Sequence, residues 1–527
     1  MPLPHPRTLA LALALLAIAL PGSRAAESTS PKTANAIAAP GASPVAERVT
    51  FTHSFKKNAP TAFPEGDIRK SVRADGYRGI WFTLGFKFEY GDKYSGGLGT
   101  YTANHQPLAV YAPAVKKTFF TWGGTPAGDQ RLLVIMVSYY DHEKGTVPRP
   151  VALYADPSVK DPHDNASIQI DADGHIWVLK SGRGRRRPGI IFRSTRPYDI
   201  GEFECVARQE FTYPEIWHGP DDSGGFFLLF TKYFKGTKNG PARNLFWKTS
   251  ADGRAWSEDH ALAAFGGHYQ TSGRWTGAGA DGKRVTKYAT FFNYHPESHV
   301  DRRTNIYYAQ TTDAGKTWTT AAGAPLALPL TSPDNPALLV DLKSQGKFMY
   351  TCDLNFDASG NPILLCIVSR AGEPGPKGDP REWFLMHWKN GKWETRTITT
   401  SDHNYDMGSI YVNGNNWKII APTETGPQRY GTGGEVAVWT SNDNGVSWKR
   451  ERRVTNSSEL NHGYVRRPEP AADPFYAFWA DGNPSHLSES RLYFTNSDGT
   501  KTWRLPYKMS GDEARPELLP AASQAPR

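Results

Sequence analysis

Histidine, tyrosine and arginine recur in short polar strings that a packed β-strand would not need. Examples are Ser138-Tyr-Tyr-Asp-His142, Asp161-Pro-His163-Asp-Asn165 and Gly266-Gly-His268-Tyr269. Histidine and tyrosine can accept or deliver a proton at a reacting atom. Arginine presents a planar fork of donors that suits carboxylate and sulfate groups. The strings therefore indicate a site that binds an anion and transfers protons, with no metal required.

One run is strongly basic: Arg183–Arg187 holds four arginines in five residues. Its functional interpretation is an anion-binding rim, with Arg183 and Arg185 as substrate contacts, and its alternative is a solvated loop. The whole chain has 61 Lys+Arg against 52 Asp+Glu, a net charge of +9, and part of that excess lies in this run and in Arg302-Arg303. No nucleic-acid-binding motif accompanies the run, so a nucleic-acid partner is not expected.

A turn motif recurs along the chain. Thr311–Trp318 and Ser441–Trp448 both follow S/T-x-D-x-G-x-T/S-W, while Ser250–Trp256 is one residue shorter and Thr495–Trp503 is looser. In such a turn the Asp side chain accepts backbone N–H groups, Gly takes a positive φ and Trp packs beneath the hairpin. The motif predicts a tight connection between two strands at each of these places.

The spacing of the four aspartates predicts the architecture. Asp252, Asp313, Asp443 and Asp498 are separated by 61, 130 and 55 residues, so a degenerate copy is expected in the longest interval, near Trp393. A repeat of this size corresponds to one four-stranded propeller blade. Residues 51–508 then hold seven repeats. The prediction is an all-β fold, a seven-bladed β-propeller of four-stranded antiparallel blades.

The two ends of the chain differ from this body. Arg7, the apolar run Leu9–Leu20 and the small residues before Ala25 predict a signal peptide over residues 1–25, cleaved after Ala25. The run is too short for a stable membrane span. Residues 26–50 are predicted to be a flexible leader and residues 509–527 a disordered tail. A secreted or periplasmic protein is expected.

Cysteine is scarce, with three residues in the chain, which excludes a disulfide scaffold. Cys352 and Cys366 either form a disulfide between neighbouring strands or join nearby histidines in a structural zinc site. A structural calcium ion is the alternative metal. Cys205 is expected to be a buried small apolar residue.

The turn motifs and the polar strings together resemble the BNR-repeat family that contains seven-bladed propeller polysaccharide lyases, the ulvan lyases among them. The strings that carry the resemblance are Tyr94–Thr100, Ser138–His142, Asp161–Asn165, Ser181–Pro188 and Gly266–Tyr269. The resemblance implies a secreted lyase that cleaves an anionic, uronic-acid-containing polysaccharide by β-elimination. It implies a monomer with no required cofactor and no membrane partner.

Such a lyase needs three groups. A cation neutralises the uronate carboxylate, a base removes the C5 proton, and an acid protonates the leaving O4. A tyrosine can be the base near neutral pH when a neighbouring cation lowers its pKa. By position, the resemblance assigns these roles to His142, His163, Tyr213 and Arg243, with Lys232 and Arg303 as alternatives to Arg243. The further substrate contacts it suggests are His105, Arg183, Arg185, Lys232, His268, Tyr269 and Arg303.

Two other functions stay open. A sialidase-like exo-glycosidase fits a propeller, but the chain has Tyr77-Arg78-Gly-Ile80 where sialidases carry Arg-Ile-Pro. Carboxylates such as Asp141, Asp164 and Glu215 leave hydrolysis open. A non-catalytic carbohydrate-binding propeller would keep the turn motifs and the arginines.

Overall fold

Strands rich in Val, Ile, Phe, Tyr and Trp make up the regular structure, as the propensities of these residues favour. The computed structural model describes residues 64–98, 104–126, 132–156, 162–219, 225–279 and 282–524. The predicted signal peptide and leader lie outside these residues. The helical elements of the described ranges are short 3₁₀ turns, Pro162–Asp164, Pro296–Ser298 and Pro376–Gly378. None of the helices in these ranges has the length and apolar character to cross a membrane.

Seven antiparallel sheets follow one another along the chain, and the strands of each run from the innermost outward in the following order. Blade 1 consists of Ala109–Ala112, Lys117–Gly124, Val134–Asp141, Val151–Ala155 and Val72–Arg73. Blade 2 consists of Ala166–Ile170, Ile176–Lys180, Gly189–Ser194, Glu202–Gln209 and Ile68–Lys70. Blade 3 consists of Thr212–His218, Phe226–Thr237, Gly240–Ser250 and His260–Ala263. Blade 4 consists of Gln270–Ala278, Arg284–Tyr294, Thr304–Thr311 and Leu338–Val340.

The remaining sheets repeat this plan. Blade 5 consists of Phe348–Phe356, Pro362–Ser369, Arg381–Lys389 and Lys392–Ser401. Blade 6 consists of Ser409–Asn413, Asn416–Glu424, Glu435–Ser441 and Lys449–Arg453. Blade 7 consists of Asn461–Arg466, Ala477–Gly482, Leu492–Thr495, Thr502–Arg504 and Glu517–Leu518. Three two-stranded ladders complete the described structure: Phe82–Thr83 with Ser95–Gly96, Lys87–Phe88 with Gly91–Asp92, and Val147–Pro148 with Glu513–Ala514.

The seven-bladed β-propeller is thus confirmed, while the strand number needs correction for three blades. Blades 1, 2 and 7 have five strands because segments near the two ends of the described chain pair with their outer edges. The prediction of a disordered tail is wrong for residues 513–518. Glu517–Leu518 pairs with Thr502–Arg504, and Glu513–Ala514 pairs with Val147–Pro148.

The apolar core lies between neighbouring blades. Seven clusters of buried side chains join the facing sheets of adjacent blades, and the cluster of blades 5 and 6 also includes tyrosines from other blades. The cluster between blades 7 and 1 includes Phe120, Phe475 and Phe494, with Phe475 stacked on Phe120 at 5.0 Å and on Phe494 at 4.6 Å. Because burial of apolar area is the main favourable term in folding, this interface closes the ring as the other six do.

The repeated turn has the predicted geometry. Asp443 accepts hydrogen bonds from the backbone N–H groups of Val446 and Ser447 at 3.1 and 2.9 Å, and Gly445 has φ +78°. Asp313 accepts from Thr317 N–H at 2.9 Å, and Gly315 has φ +89°. These turns join the third and fourth strands of blades 6 and 4.

Blade 5 fills the longest interval between the turn motifs. Its third and fourth strands are joined by Asn390-Gly391, both with positive φ, and Trp388 pairs with Trp393 across the hairpin. Asn-Gly is the typical two-residue hairpin turn. The degenerate copy of the motif expected near Trp393 is absent from this hairpin, and the two-residue Asn390-Gly391 turn takes its place.

Charged side chains line the propeller axis. Arg467 Nε lies 3.4 Å from Asp353 Oδ2, and Arg466 donates to Cys352 O at 2.8 Å. A side-chain oxygen of Glu215 accepts from Ser272 N–H at 2.6 Å. Glu215 is fully buried, and this burial raises its pKa to about 8. A carboxyl group is thereby held in its neutral form at neutral pH.

The raised pKa of Glu215 predicts a loss of stability with pH. The unfolded chain releases this proton near its ordinary pKa of 4.5, whereas the folded protein holds it to about 8. The folded state therefore binds more protons in this window, and its free energy of unfolding should fall by about 3 kcal/mol between about pH 5 and pH 8. Glu215→Gln keeps an acceptor for Ser272 without the titration. Denaturant unfolding at several pH values should show a smaller decline in the variant, and an equal decline would contradict the prediction.

Candidate functional site

One end of the propeller gathers the polar strings. In each blade the innermost strand runs away from this end and the second strand returns to it, so the connection to the third strand lies there. The residues before the innermost strands and these connections therefore meet around the axis. The turn motifs join third and fourth strands and lie at the opposite end.

Tyr213 is at the centre of this end. It is buried, has φ +54°, and its backbone N–H donates to Ser181 Oγ at 3.0 Å. Its ring lies 5.4 Å from His105 and 5.8 Å from His163, measured between ring centroids. Tyr269 is on its other side, with the ring centroid at 5.4 Å. The structure thus brings together four of the predicted site residues from blades 1 to 4.

The hydrogen bond of His163 defines its tautomer. Arg183 donates from a guanidinium nitrogen to His163 Nδ1 at 2.6 Å, and arginine has no acceptor. Neutral His163 therefore carries its proton on Nε2 and can donate to a ligand oxygen. Arg183 from the basic run is a site residue through this contact.

Two arginines flank the Tyr269 ring. The guanidinium carbon of Arg303 lies 4.5 Å from the ring centroid, and that of Arg243 lies 5.8 Å from it. Both arginines are buried. Arg243 donates to Pro241 O at 3.2 Å and forms no ion pair with any carboxylate in the described ranges. Its charge is therefore available to a substrate anion.

These cations set the ionisation of Tyr269. Burial alone would raise its pKa, but Arg243 and Arg303, with smaller contributions from a Tyr213 hydrogen bond and Arg183, lower the pKa below its ordinary value of 10. A phenolate close to two guanidinium groups is favoured electrostatically. Tyr269 therefore has the character of a general base.

Arg303 also contacts three further tyrosine rings. Its guanidinium lies 5.1 to 5.8 Å from the ring centroids of Tyr94, Tyr350 and Tyr405. These three tyrosines were not predicted as site residues, although Tyr94 begins one of the strings that carried the resemblance. They enclose the arginine that lies closest to Tyr269.

His295 is a further site residue that the sequence-based assignments omit. It is fully buried, its ring centroid is 4.9 Å from that of Tyr269, and neither ring nitrogen has a hydrogen-bond partner among the described residues. Burial and the nearby arginines lower its pKa well below 6.5, so the imidazole is neutral. The string Asn293-Tyr-His295 is the signal from which it could have been found.

His142 does not join this cluster. It follows the third strand of blade 1 and lies at the opposite end, because Asp141 pairs with Lys117 just after the first turn of the blade. Both of its ring nitrogens are hydrogen-bonded, to Thr118 Oγ1 and to the Asp473 backbone oxygen, each at 2.8 Å. The structure therefore does not bring His142 together with His163, Tyr213 and Arg243 as predicted, and His105 is the histidine that lies with His163 beside Tyr213.

Three predicted substrate contacts lie away from the tyrosines. Lys232 is 2.9 Å from Asp259 on the blade face opposite Arg243, and Arg185 is an exposed residue paired with Glu210 at 3.3 Å. His268 is buried beneath the site with both ring nitrogens hydrogen-bonded, and burial lowers its pKa to about 4. None of the three is placed to reach a ligand at Tyr269.

The cysteines are buried thiols. Cys352 and Cys366 lie on neighbouring strands of blade 5 and are free, as is Cys205. Burial raises the pKa of Cys352 to about 12. Within the described ranges, no group of three or more His, Cys, Asp or Glu side chains is placed to hold a metal ion.

Comparisons with known proteins identify the family. The sequence profile described as a BNR repeat-containing family member matches residues 119–401. The chain belongs to this BNR repeat-containing family. No curated protein matches the sequence.

Solved structures with the same propeller fold include polysaccharide lyases. A PL25 ulvan lyase superimposes with a TM-score of 0.60 at 14% identity, covering 81% of this chain and 96% of that one. The same figures hold for its complex with -[GlcA(1-4)Rha3S]-. Polysaccharide lyase Uly1 gives a TM-score of 0.53 at 14% identity, covering 82% of this BNR-repeat chain and all of the other.

Proposed function

We propose that this protein is an exported polysaccharide lyase that cleaves an anionic, uronate-containing polysaccharide by β-elimination. The observation that carries the proposal is the pair Tyr213–Tyr269, held between two histidines and two buried arginines. The same fold in ulvan lyases, one of them bound to a sulfated glucuronate–rhamnose unit, supports a polymer of that class as the first substrate to test.

The arrangement suits each step of elimination. Arg243 would pair with the uronate carboxylate and so make the C5 proton more acidic. Tyr269 as phenolate would take that proton, and the electron pair would form the C4=C5 bond while the C4–O4 bond breaks. Tyr213, next to Tyr269, would deliver a proton to O4. His163 would donate from Nε2 to the carboxylate or to a neighbouring hydroxyl.

The product identifies the reaction. The protein should be incubated with ulvan and a panel of other uronate polysaccharides, and the ultraviolet absorbance of the conjugated C4=C5 product followed beside the release of reducing ends. Elimination is expected to produce both signals together. Reducing ends without the chromophore would indicate hydrolysis, and binding with neither signal would indicate a carbohydrate-binding propeller. Either outcome would overturn the proposal.

A further inference from the structure

A two-stranded hairpin over residues 84–94, which we call the rim hairpin, lies beside the candidate site. Lys87–Phe88 pairs with Gly91–Asp92, and the ends of the hairpin close through Leu84 N–H to Tyr94 O at 2.9 Å. It precedes the first innermost strand and belongs to no blade.

The rim hairpin carries three exposed aromatic side chains. The exposed fractions of Phe86, Phe88 and Tyr90 are 56%, 42% and 41%. Phe88 lies on the strand Lys87–Phe88, and Phe86 directly precedes it. Three water-exposed aromatic side chains within five residues of one hairpin are costly in a soluble protein and typically mark a binding surface.

Contacts tie this surface to the site. Tyr94, at the base of the hairpin, packs edge-on against Phe86 at 5.5 Å and donates a hydrogen bond to Asp301. Arg303 lies over the rings of both Tyr94 and Tyr269, at 5.8 and 4.5 Å. A single arginine therefore separates the rim hairpin from the proposed base.

The tip of the hairpin rests on neighbouring blades. The Tyr90 ring packs edge-on against Tyr430 at 5.4 Å and against the backbone of Gly375, where a Cβ would clash with it. Arg429 lies over the Tyr430 ring at 4.8 Å, and Lys87 is exposed on the hairpin. Glu89 is the opposing charge at the tip, and it raises the pKa of Tyr90.

We propose that the rim hairpin is a sugar-stacking subsite that binds units of the anionic polysaccharide outside the reacting position. The apolar faces of sugar rings would pack on Phe86, Phe88 and Tyr90, while Lys87 and Arg429 attract the carboxylate or sulfate groups. The occupant follows from continuity with the site: a polymer with one unit at Tyr269 extends past Arg303 onto this surface. The identity of the polymer rests on the proposed function.

The test separates binding from turnover. Phe88→Ala combined with Tyr90→Ala is compared with Leu518→Ala, which removes another exposed apolar side chain, 55% exposed, on the outer strand of blade 7. Affinity electrophoresis with ulvan, in a Tyr269→Phe background expected to turn over slowly, is expected to show binding weakened about tenfold by the double variant only. In the active protein, the KM for the polymer should rise by a similar factor while kcat changes little, because the lost contact acts on bound substrate and transition state alike.

Several outcomes would contradict the proposed sugar-stacking subsite. Unchanged ulvan affinity in the folded double variant would contradict the proposal. A loss of activity on the shortest cleaved oligosaccharide as large as the loss on the polymer would also contradict it, because it would indicate a structural role for the two side chains. A change in oligomeric mass without a change in affinity would indicate that the hairpin binds a second copy instead. Absence of the elimination product from the unmodified protein counts against the proposed function, whereas the affinity comparison is unaffected by it.

Discussion

Replacing Tyr269 by phenylalanine should lower kcat for β-elimination by about a thousandfold, the scale of a lost general base. The ring contacts with Tyr213, His295 and Arg303 survive the change, so the loss measures the phenol oxygen and not the packing. The rate of formation of the unsaturated product gives kcat and KM separately. KM should change little, because the proton transfer is made in the transition state and not on binding.

A matched control for this variant lies in blade 1. Tyr139→Phe removes a phenol oxygen from a half-buried ring at the opposite end of the propeller, where Tyr139 pairs with Phe119. Its activity should equal that of the unmodified protein. Full activity of Tyr269→Phe would show that another group removes the C5 proton, and Tyr213→Phe would then be the next variant to compare.

The fold could be predicted from the sequence because its repeated turn is formed by residues that are adjacent in the chain. The turn motif works within eight residues, as Thr311–Trp318 shows, so its copies could be recognised without any knowledge of the tertiary structure. Their spacing then gave the blade number. The fifth strand of blade 2 could not be predicted in this way, because Ile68–Lys70 pairs with a strand more than a hundred residues away.

The site was harder to predict because strand register decides which polar residues meet. His105 and His142 both stand in polar strings, but only the pairing of Asp141 with Lys117 reveals that His142 belongs to the far end. Strand register likewise decides which of Lys232 and Arg243 faces the site. Tyr233 pairs with Arg243, so this face of blade 3 points to the site while the adjacent Lys232 points away from it.

The exposed aromatic side chains of the rim hairpin could not be predicted from the sequence either. The alternation Phe86-Lys-Phe88-Glu-Tyr90 is the pattern of a strand with one buried face, and such a pattern carries no information about what covers that face. The exposure of these rings follows from the position of the hairpin outside the seven sheets. Sequence patterns thus locate packed strands well, and exposed binding surfaces built from the same residue types poorly.

Replacing Arg243 by glutamine should move the pH dependence of elimination to higher pH and lower kcat/KM at neutral pH by about a hundredfold or more. Arg243 is one of the two buried cations beside Tyr269 that lower its pKa, so its removal raises that pKa. A base acts only when deprotonated, and the rising limb of the profile must follow the pKa upward. Measuring kcat/KM across the pH range of stability gives the position of that limb. Lys232→Gln removes a cation from the other face of the same strand pair and should leave the limb in place. A shift of the limb in Lys232→Gln but not in Arg243→Gln would contradict the prediction and assign the lowering of the Tyr269 pKa to Lys232.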